Sequence, residues 1–249
     1  MTTWVLLRGL TRESGHWGPF VEQLQSALPG STVVALDLPG NGAWCKQRSP
    51  TRVADMVEQC RSQLINEGQQ APYHLLAMSL GAMVAVAWAD AHPQEIAAQV
   101  LINTSMRPFS RFYQRLRPAN YWALAALALP GATPQKWERT VLNLTANHVH
   151  DDVLDDWLAL HTAHPVSRVN ALRQLLAAAR YVAPKSVPAV PTLVLASLSD
   201  RLVSVECSRA LARHWQCPLR QHPSAGHDLP LDDAAWVAAQ VVGFIRSIG

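Results

Sequence analysis

His74-Leu75-Leu76-Ala77-Met78-Ser79-Leu80-Gly81-Ala82-Met83-Val84-Ala85-Val86-Ala87-Trp88 is the stretch that decides how this chain is read. Its first five residues form a short apolar run of strand type, and the residues after Ser79 favour helix. The stretch therefore predicts strand, sharp turn and helix, with serine at the turn. So tight a turn needs very small residues two before and two after the serine, because larger side chains would strike the neighbouring strand and helix. Ala77 and Gly81 meet that need. The geometry would lift the Ser79 hydroxyl above a sheet and aim the Leu80 amide, at the helix start, toward the oxygen of an attacked carbonyl. Ser-x-Gly alone describes an ordinary helix N-cap serine equally well. The case for a nucleophile rests on partners supplied elsewhere in the chain.

Working outward, further short apolar runs occur at Trp4–Leu7, Thr32–Leu36, Gln99–Ile102, Thr192–Ala196 and Leu219–Gln221. Amphipathic stretches lie between them, with start signals at Thr51 and at Asp232-Asp233 before Ala234–Ile245. This alternation is the pattern of a parallel sheet covered by helices on both faces, an α/β architecture. The rhythm breaks between about Thr104 and Val190, where helical pattern continues without a strand. Helices are expected there over Ala119–Leu129, Thr133–Leu144, Asp151–Ala163 and Val166–Tyr181, punctuated by Pro118, Pro130 and Pro165. Residues 1–104 and 191–249 thus read as the sheet core, and residues 105–190 as a helical cap.

The 249 residues suit one such domain with one insertion. Lys and Arg number 21 against 18 Asp and Glu, for a net charge of +3, and they are scattered, so nucleic acid is not an expected partner. No segment has the length of a membrane span or the form of a signal peptide. Cys45, Cys60, Cys207 and Cys217 show neither CxxC nor metal-ligand spacing, which points to reduced thiols in a cytoplasmic protein. The sequons at Asn103 and Asn143 are the kind that arise by chance. His148 and His150 lack the spacing of a helical metal pair, and with His161 they read as solvated or locally bonded side chains. No metal and no cofactor is expected.

The turn at Ser79 resembles the nucleophile elbow of the α/β-hydrolase family, usually Gly-x-Ser-x-Gly, with Ala77 in place of the first glycine. A serine hydroxyl near its free pKa attacks poorly and needs a base held in the right tautomer by an acid. The family order of serine, acid and histidine can be followed here. Ser197-Leu198-Ser199-Asp200-Arg201-Leu202-Val203 is similar to the family's acid loop, which implies Asp200 as the acid. Ser224-Ala225-Gly226-His227-Asp228 stands where the family places its histidine, which implies His227 as the base. Asp228 and Asp232 compete as acids by composition but lie close to His227 in sequence. The first strand ends Leu6-Leu7-Arg8-Gly9-Leu10-Thr11, followed by Gly15-His16-Trp17. This resembles the family's His-Gly-x loop, and implies that Leu10 and Leu80 form the oxyanion hole with their backbone N–H groups. Arg8 stands where the family usually has histidine. It reads either as a buried structural cation paired with a carboxylate or, with Arg12, as an attractor of a substrate carboxylate or phosphate. Leu36-Asp37-Leu38-Pro39-Gly40-Asn41-Gly42 is similar to a further loop bordering the family's site. The start of the chain close to the oxyanion strand implies a compact sheet of about six strands.

The resemblance implies acyl transfer to water, with a small-molecule ester or thioester as substrate. An aspartate nucleophile is disfavoured by Ser79. Hydroxynitrile lyases of this type commonly carry lysine just after the catalytic histidine, where this chain has Asp228 and Leu229. The chain looks loosely like small carboxylesterases of the pimeloyl-carrier-protein methyl ester esterase type. A slow-turnover ligand receptor would carry the same residues. Trp44, Trp122, Trp137 and Trp157 are candidates to line an acyl pocket, against the plainer reading that each packs cap on sheet.

Overall fold

The apolar runs become the strands of one parallel sheet. The computed structural model describes residues 2–128, 131–148 and 151–249. Its strands are β1 (Thr2–Leu7), β2 (Ser31–Leu36), β3 (Tyr73–Met78), β4 (Ile96–Ile102), β5 (Thr192–Ser197) and β6 (Leu219–His222). Their order is β2-β1-β3-β4-β5-β6, and every neighbouring pair is parallel. β4 begins at Ile96 rather than Gln99, because pairing with β3 carries the weakly strand-forming Ala97 and Ala98 into the sheet.

Side chains alternate between the faces with period two. Val5, Leu7, Leu75, Ala77, Leu101 and Val194 enter one core cluster, and Trp4, Leu6, Leu76, Met78, Val100 and Ile102 enter the other. Because both faces of the inner strands β1, β3, β4 and β5 are buried, these read as largely apolar runs rather than alternating ones, while the edge strand β6 leaves Arg220 and Gln221 exposed. Helix α1 (Phe20–Ala27) packs on the second face, and α2 (Val53–Asn66) and α3 (Leu80–Ala91) pack on the first. The expected cap of α2 at Thr51 is corrected to Arg52, which makes no side-chain cap bond. Burial of Val53, Met56, Val57, Cys60 and Leu64 holds that helix instead.

The insertion between β4 and β5 holds α4 (Phe112–Arg115), α5 (Tyr121–Ala128), α6 (Pro134–Thr145), α7 (Asp151–Ala163) and α8 (Arg168–Arg180). α4 is a single turn, too short for periodicity to reveal. Thr133 and Ser167 cap α6 and α8 by accepting from Lys136 N and Asn170 N. Pro130, read as a helix break, and His150 lie outside the described residues. Arg107 and Val182 form a parallel bridge, and Ala183 N donates to Arg107 O at 2.7 Å, closing the base of the insertion. After β5 come α9 (Val205–Trp215) on the first face, the short α10 (Leu229–Asp232), and α11 (Ala234–Ile248) on the second face, capped by Asp233. Among the described residues no helix is long and apolar enough to cross a membrane.

β1 lies between β2 and β3, so the chain reverses its progress across the sheet at that point. Such a reversal opens a crevice beyond the carboxyl ends of the strands. The loop after β1 and the turn after β3 face each other there.

Candidate active site

Ser79 follows β3 directly and precedes α3, at φ 54° and ψ −115°. A non-glycine residue in such a region costs about 1–3 kcal/mol and persists only where its surroundings enforce it. Ser79 N donates to Ile102 O at 3.0 Å, and Ser79 O accepts from Thr104 Oγ1 at 3.1 Å. From Leu75 to Val86 every residue is buried except Ser79, which keeps partial exposure. The strained turn therefore brings one hydroxyl out of an otherwise closed core.

Two glycines let the loop after β1 reach this turn. A Cβ on Gly9 would stand 3.1 Å from Ser79 Cβ and 3.6 Å from its Oγ. A Cβ on Gly81 would collide with Leu7 O and lie 2.6 Å from Arg8 O, so the first turn of α3 presses against the end of β1. Among the described residues the amides of Leu10 and Leu80 donate to no protein acceptor. A first-turn helix amide has no intrahelical partner.

The loops carrying Asp200 and His227 meet at the carboxyl ends of β5 and β6. His227 Nδ1 lies 2.7 Å from Asp200 Oδ2, with both side chains buried. The other carboxylate oxygen, Asp200 Oδ1, accepts from Leu202 N at 2.8 Å and Val203 N at 2.9 Å. This leaves the acid only one orientation toward the ring. Ser79 and His227 make no direct hydrogen bond, and among the described residues His227 Nε2 has no hydrogen-bond partner. The rival acids are engaged elsewhere. Asp228 pairs with Arg8, and Asp232 accepts from Asn147 N, His148 N and Gly226 N at 3.0, 3.1 and 2.6 Å.

The structure corrects the reading of Arg8 and Arg12 as substrate-binding groups. Arg8 donates to both oxygens of Asp228, at 3.0 and 2.5 Å, with both side chains 2% exposed, and its guanidinium lies over the Trp17 ring at 4.8 Å. It is the structural cation of the other reading. Arg12 donates to Glu138 Oε2 at 2.5 Å and lies over the buried Trp157 ring at 4.3 Å. Burial opposes ionisation of Glu138, but hydrogen bonds from His161 and Arg12 outweigh it and hold the carboxyl below its ordinary range. Burial, reinforced by Arg12 and Arg8, pushes His16 well below the usual histidine value and leaves it neutral. Buried cations bound to carboxylates have no charge to offer a substrate.

The four tryptophans are not brought together around one pocket. Trp122 is 86% exposed, and Trp44 sits at the surface. Trp137 and Trp157 flank the Arg12–Glu138–His161 cluster, Trp137 against the His161 ring and Trp157 against the His16 ring. A cavity of about 10 Å³ in that cluster, lined by Thr11, His16, Trp137 and Glu138 among others, has room for no more than one water. An open cleft of about 400 Å³ lies beside the acid loop, between Arg117, Asn147 and residues 198–201. Neither concavity is lined by Ser79. Among the described residues no cluster of metal-ligating side chains occurs.

Asn103 escaped the sequence reading. It sits at φ 44° just after β4, accepts from Ser197 N at 2.8 Å, and donates to His227 O at 2.8 Å. It thereby ties the acid strand to the histidine loop, and, being 2% exposed, it is no glycosylation site. A polar residue directly after the apolar end Val100-Leu101-Ile102 of a central strand was the available signal. Gln174, in the middle of the cap, gave none.

Comparison with known proteins agrees with this architecture. A model of the Alpha/beta hydrolase family matches residues 4–240. RutD of Variovorax paradoxus, named as a carbamate hydrolase, is 28% identical, covering 98% of this chain and 91% of its own. The enol-lactonase of Burkholderia xenovorans superposes with a TM-score of 0.81 at 18% identity, over 98% of this chain and 91% of that one. The esterase RhEst1 of a Rhodococcus species gives 0.78 at 21%, over 100% and 91%. At such identities the structural likeness speaks for the fold.

Proposed function

The chain belongs to the alpha/beta hydrolase family, and from that premise we propose that it hydrolyses a carboxylic ester or thioester through an acyl-enzyme on Ser79. The observation that carries this reading is the partly exposed, strained Ser79 beneath Gly9, with two undonated amides beside it. His227 takes the hydroxyl proton as Ser79 Oγ attacks the carbonyl carbon, and Asp200 stabilises the imidazolium through Nδ1. The oxygen gains negative charge facing the N–H groups of Leu10 and Leu80, donors already fixed before the reaction begins. Collapse of the tetrahedral intermediate expels the alcohol or thiol with the proton from His227. Water, deprotonated by the same ring, then releases the acid. No cofactor enters these steps. The four unpaired thiols fit a reducing compartment such as the cytoplasm.

The test is a panel of acyl lengths and leaving groups, with a carbamate included because of the Variovorax relative, assayed on wild type and Ser79→Ala. Ser79→Ala should fold normally and lose at least about a hundredfold in kcat. A fluorophosphonate should label Ser79 alone. Retained turnover, or an adduct on another serine, would move the site. A single stoichiometric burst without turnover would favour a ligand receptor.

A further inference from the structure

We infer that Gln174, on cap helix α8, is a positioning residue for the oxyanion hole; this rests on the serine mechanism above. Gln174 lies about 160 residues from the loop it would serve. Its side chain is wholly buried, on the face of α8 that also buries Asn170 and Ala177. Gln174 Oε1 accepts from Thr11 N at 2.8 Å. Its Nε2 donates to Asn41 Oδ1 at 2.7 Å and to Ser49 Oγ at 3.0 Å. Those anchors are themselves held. Asn41 Nδ2 donates to Arg12 O at 2.9 Å, Ser49 Oγ donates to Pro39 O at 2.7 Å, and Ser49 N donates to Asn170 Oδ1 at 2.9 Å. The amide therefore has one orientation, with its oxygen toward Thr11.

The consequence lies in the backbone of Thr11, which sits at φ 59°. A β-branched residue resists that region and would relax toward ordinary φ if released. Relaxation would turn the peptide between Leu10 and Thr11, and with it the adjoining Leu10 unit whose N–H points at the developing oxyanion. Gln174 opposes this by giving the Thr11 N–H a buried acceptor. Arg8, bonded to Asp228, fixes the same loop on its other flank. The cap thus acts on the reaction through the oxyanion loop and not only by covering the substrate.

The experiment compares three replacements of Gln174 in the full-length enzyme. Gln174→Met keeps the volume and removes the acceptor, and Gln174→Asn keeps the amide but withdraws it by one methylene. Gln174→Glu keeps an acceptor oxygen within reach of Thr11 N, and because burial favours the neutral acid its O–H can still donate to Asn41 Oδ1 in place of Nε2. Loss of one oxyanion donor costs about 100- to 1000-fold in kcat, so a displaced donor should cost about 10- to 100-fold in the Met and Asn variants. KM should stay within about threefold, since a transition-state contact is affected, and the Glu variant should stay within about threefold of wild type in kcat. Affinity for a trifluoromethyl ketone, whose adduct places an oxyanion in the hole, should fall in step with kcat. Should Gln174→Met not fold, the Asn and Glu pair carries the test. Equal kcat in those two, or a change confined to KM, overturns the role of Gln174. Normal ketone affinity in a slow variant does so as well. A wild-type enzyme that ignores the ketone would instead fault the serine mechanism, and this inference would fall with it.

Discussion

Asp228→Asn is the sharpest test of how the core is held, because it changes one charge and almost no volume. Asp228 and Arg8 are each 2% exposed, and the carboxylate receives both terminal nitrogens of the guanidinium. Arg8 also has a buried Nε without a partner, and its remaining side-chain hydrogen bond is a weak one, from Nη1 to Met78 Sδ at 3.6 Å. An arginine cannot shed its proton to escape burial. Removing the counter-charge should cost about 3–5 kcal/mol, the usual loss when one member of a buried pair is deleted. That is a large share of the roughly 5–15 kcal/mol that holds a domain folded. For a chain of this size about 2–4 °C accompanies each kcal/mol, so the melting temperature should drop by roughly 6–20 °C. The assay is the denaturant midpoint, with the melting temperature alongside, for Asp228→Asn, Arg8→Met and the double variant Arg8→Met/Asp228→Leu. The double variant should recover most of the loss, because an apolar pair of similar volume often equals a buried ion pair. A single variant that loses under about 1 kcal/mol, or a double variant as unstable as the single, would refute the reasoning.

Asp200→Asn should behave in the opposite way, keeping the melting temperature near wild type while kcat falls by roughly four orders of magnitude, because an amide favours the wrong tautomer of His227. A normal rate in that variant, with the loss appearing in folded Asp228→Asn, would reassign the acid. Glu138→Gln tests the link between cap and core through pH. Glu138 titrates below its ordinary 4.5 in the folded protein. Its contribution is therefore complete above the unfolded value and is lost as pH falls through the folded one. The stability gap between wild type and Glu138→Gln should be widest near neutrality and should narrow below about pH 4.5. A gap independent of pH would show that the carboxylate charge contributes nothing.

The fold was legible because its signals are local. Strands buried on both faces are largely apolar, so β1, β3, β4 and β5 stand out as short runs, and the helices between them show their own period, whereas the edge strand β6, with Arg220 and Gln221 exposed, carries a weaker signal. The residues of the candidate site were legible for a related reason. A turn as tight as that at Ser79 restricts its neighbours to Ala77 and Gly81, and the loop carrying Asp200 directly follows the buried strand β5, while that carrying His227 follows the last strand. The loop after β1 declared itself through Gly9, whose missing side chain leaves room for Ser79. Boundaries were less legible. Arg52 rather than Thr51 precedes α2, and the single turn of α4 has no period to read.

Pairings across long sequence separation were decided only by the tertiary structure. Nothing local distinguishes an arginine that will meet Asp228 in the core from one that will meet a substrate. Only the approach of two loops 220 residues apart makes Arg8 a scaffold. Arg12 is settled in the same way by Glu138 on α6, and Thr11 by Gln174 on α8. The tryptophans show the limit most plainly. Trp122 and Trp157 both lie in helical pattern, yet Trp122, beside Tyr121 and Ala123, is 86% exposed, and Trp157, beside Asp156 and Leu158, is 3% exposed. Periodicity states which face of a helix is apolar. Whether that face meets the core, a buried guanidinium or solvent depends on where the whole helix docks, and that is set by all of its partners at once.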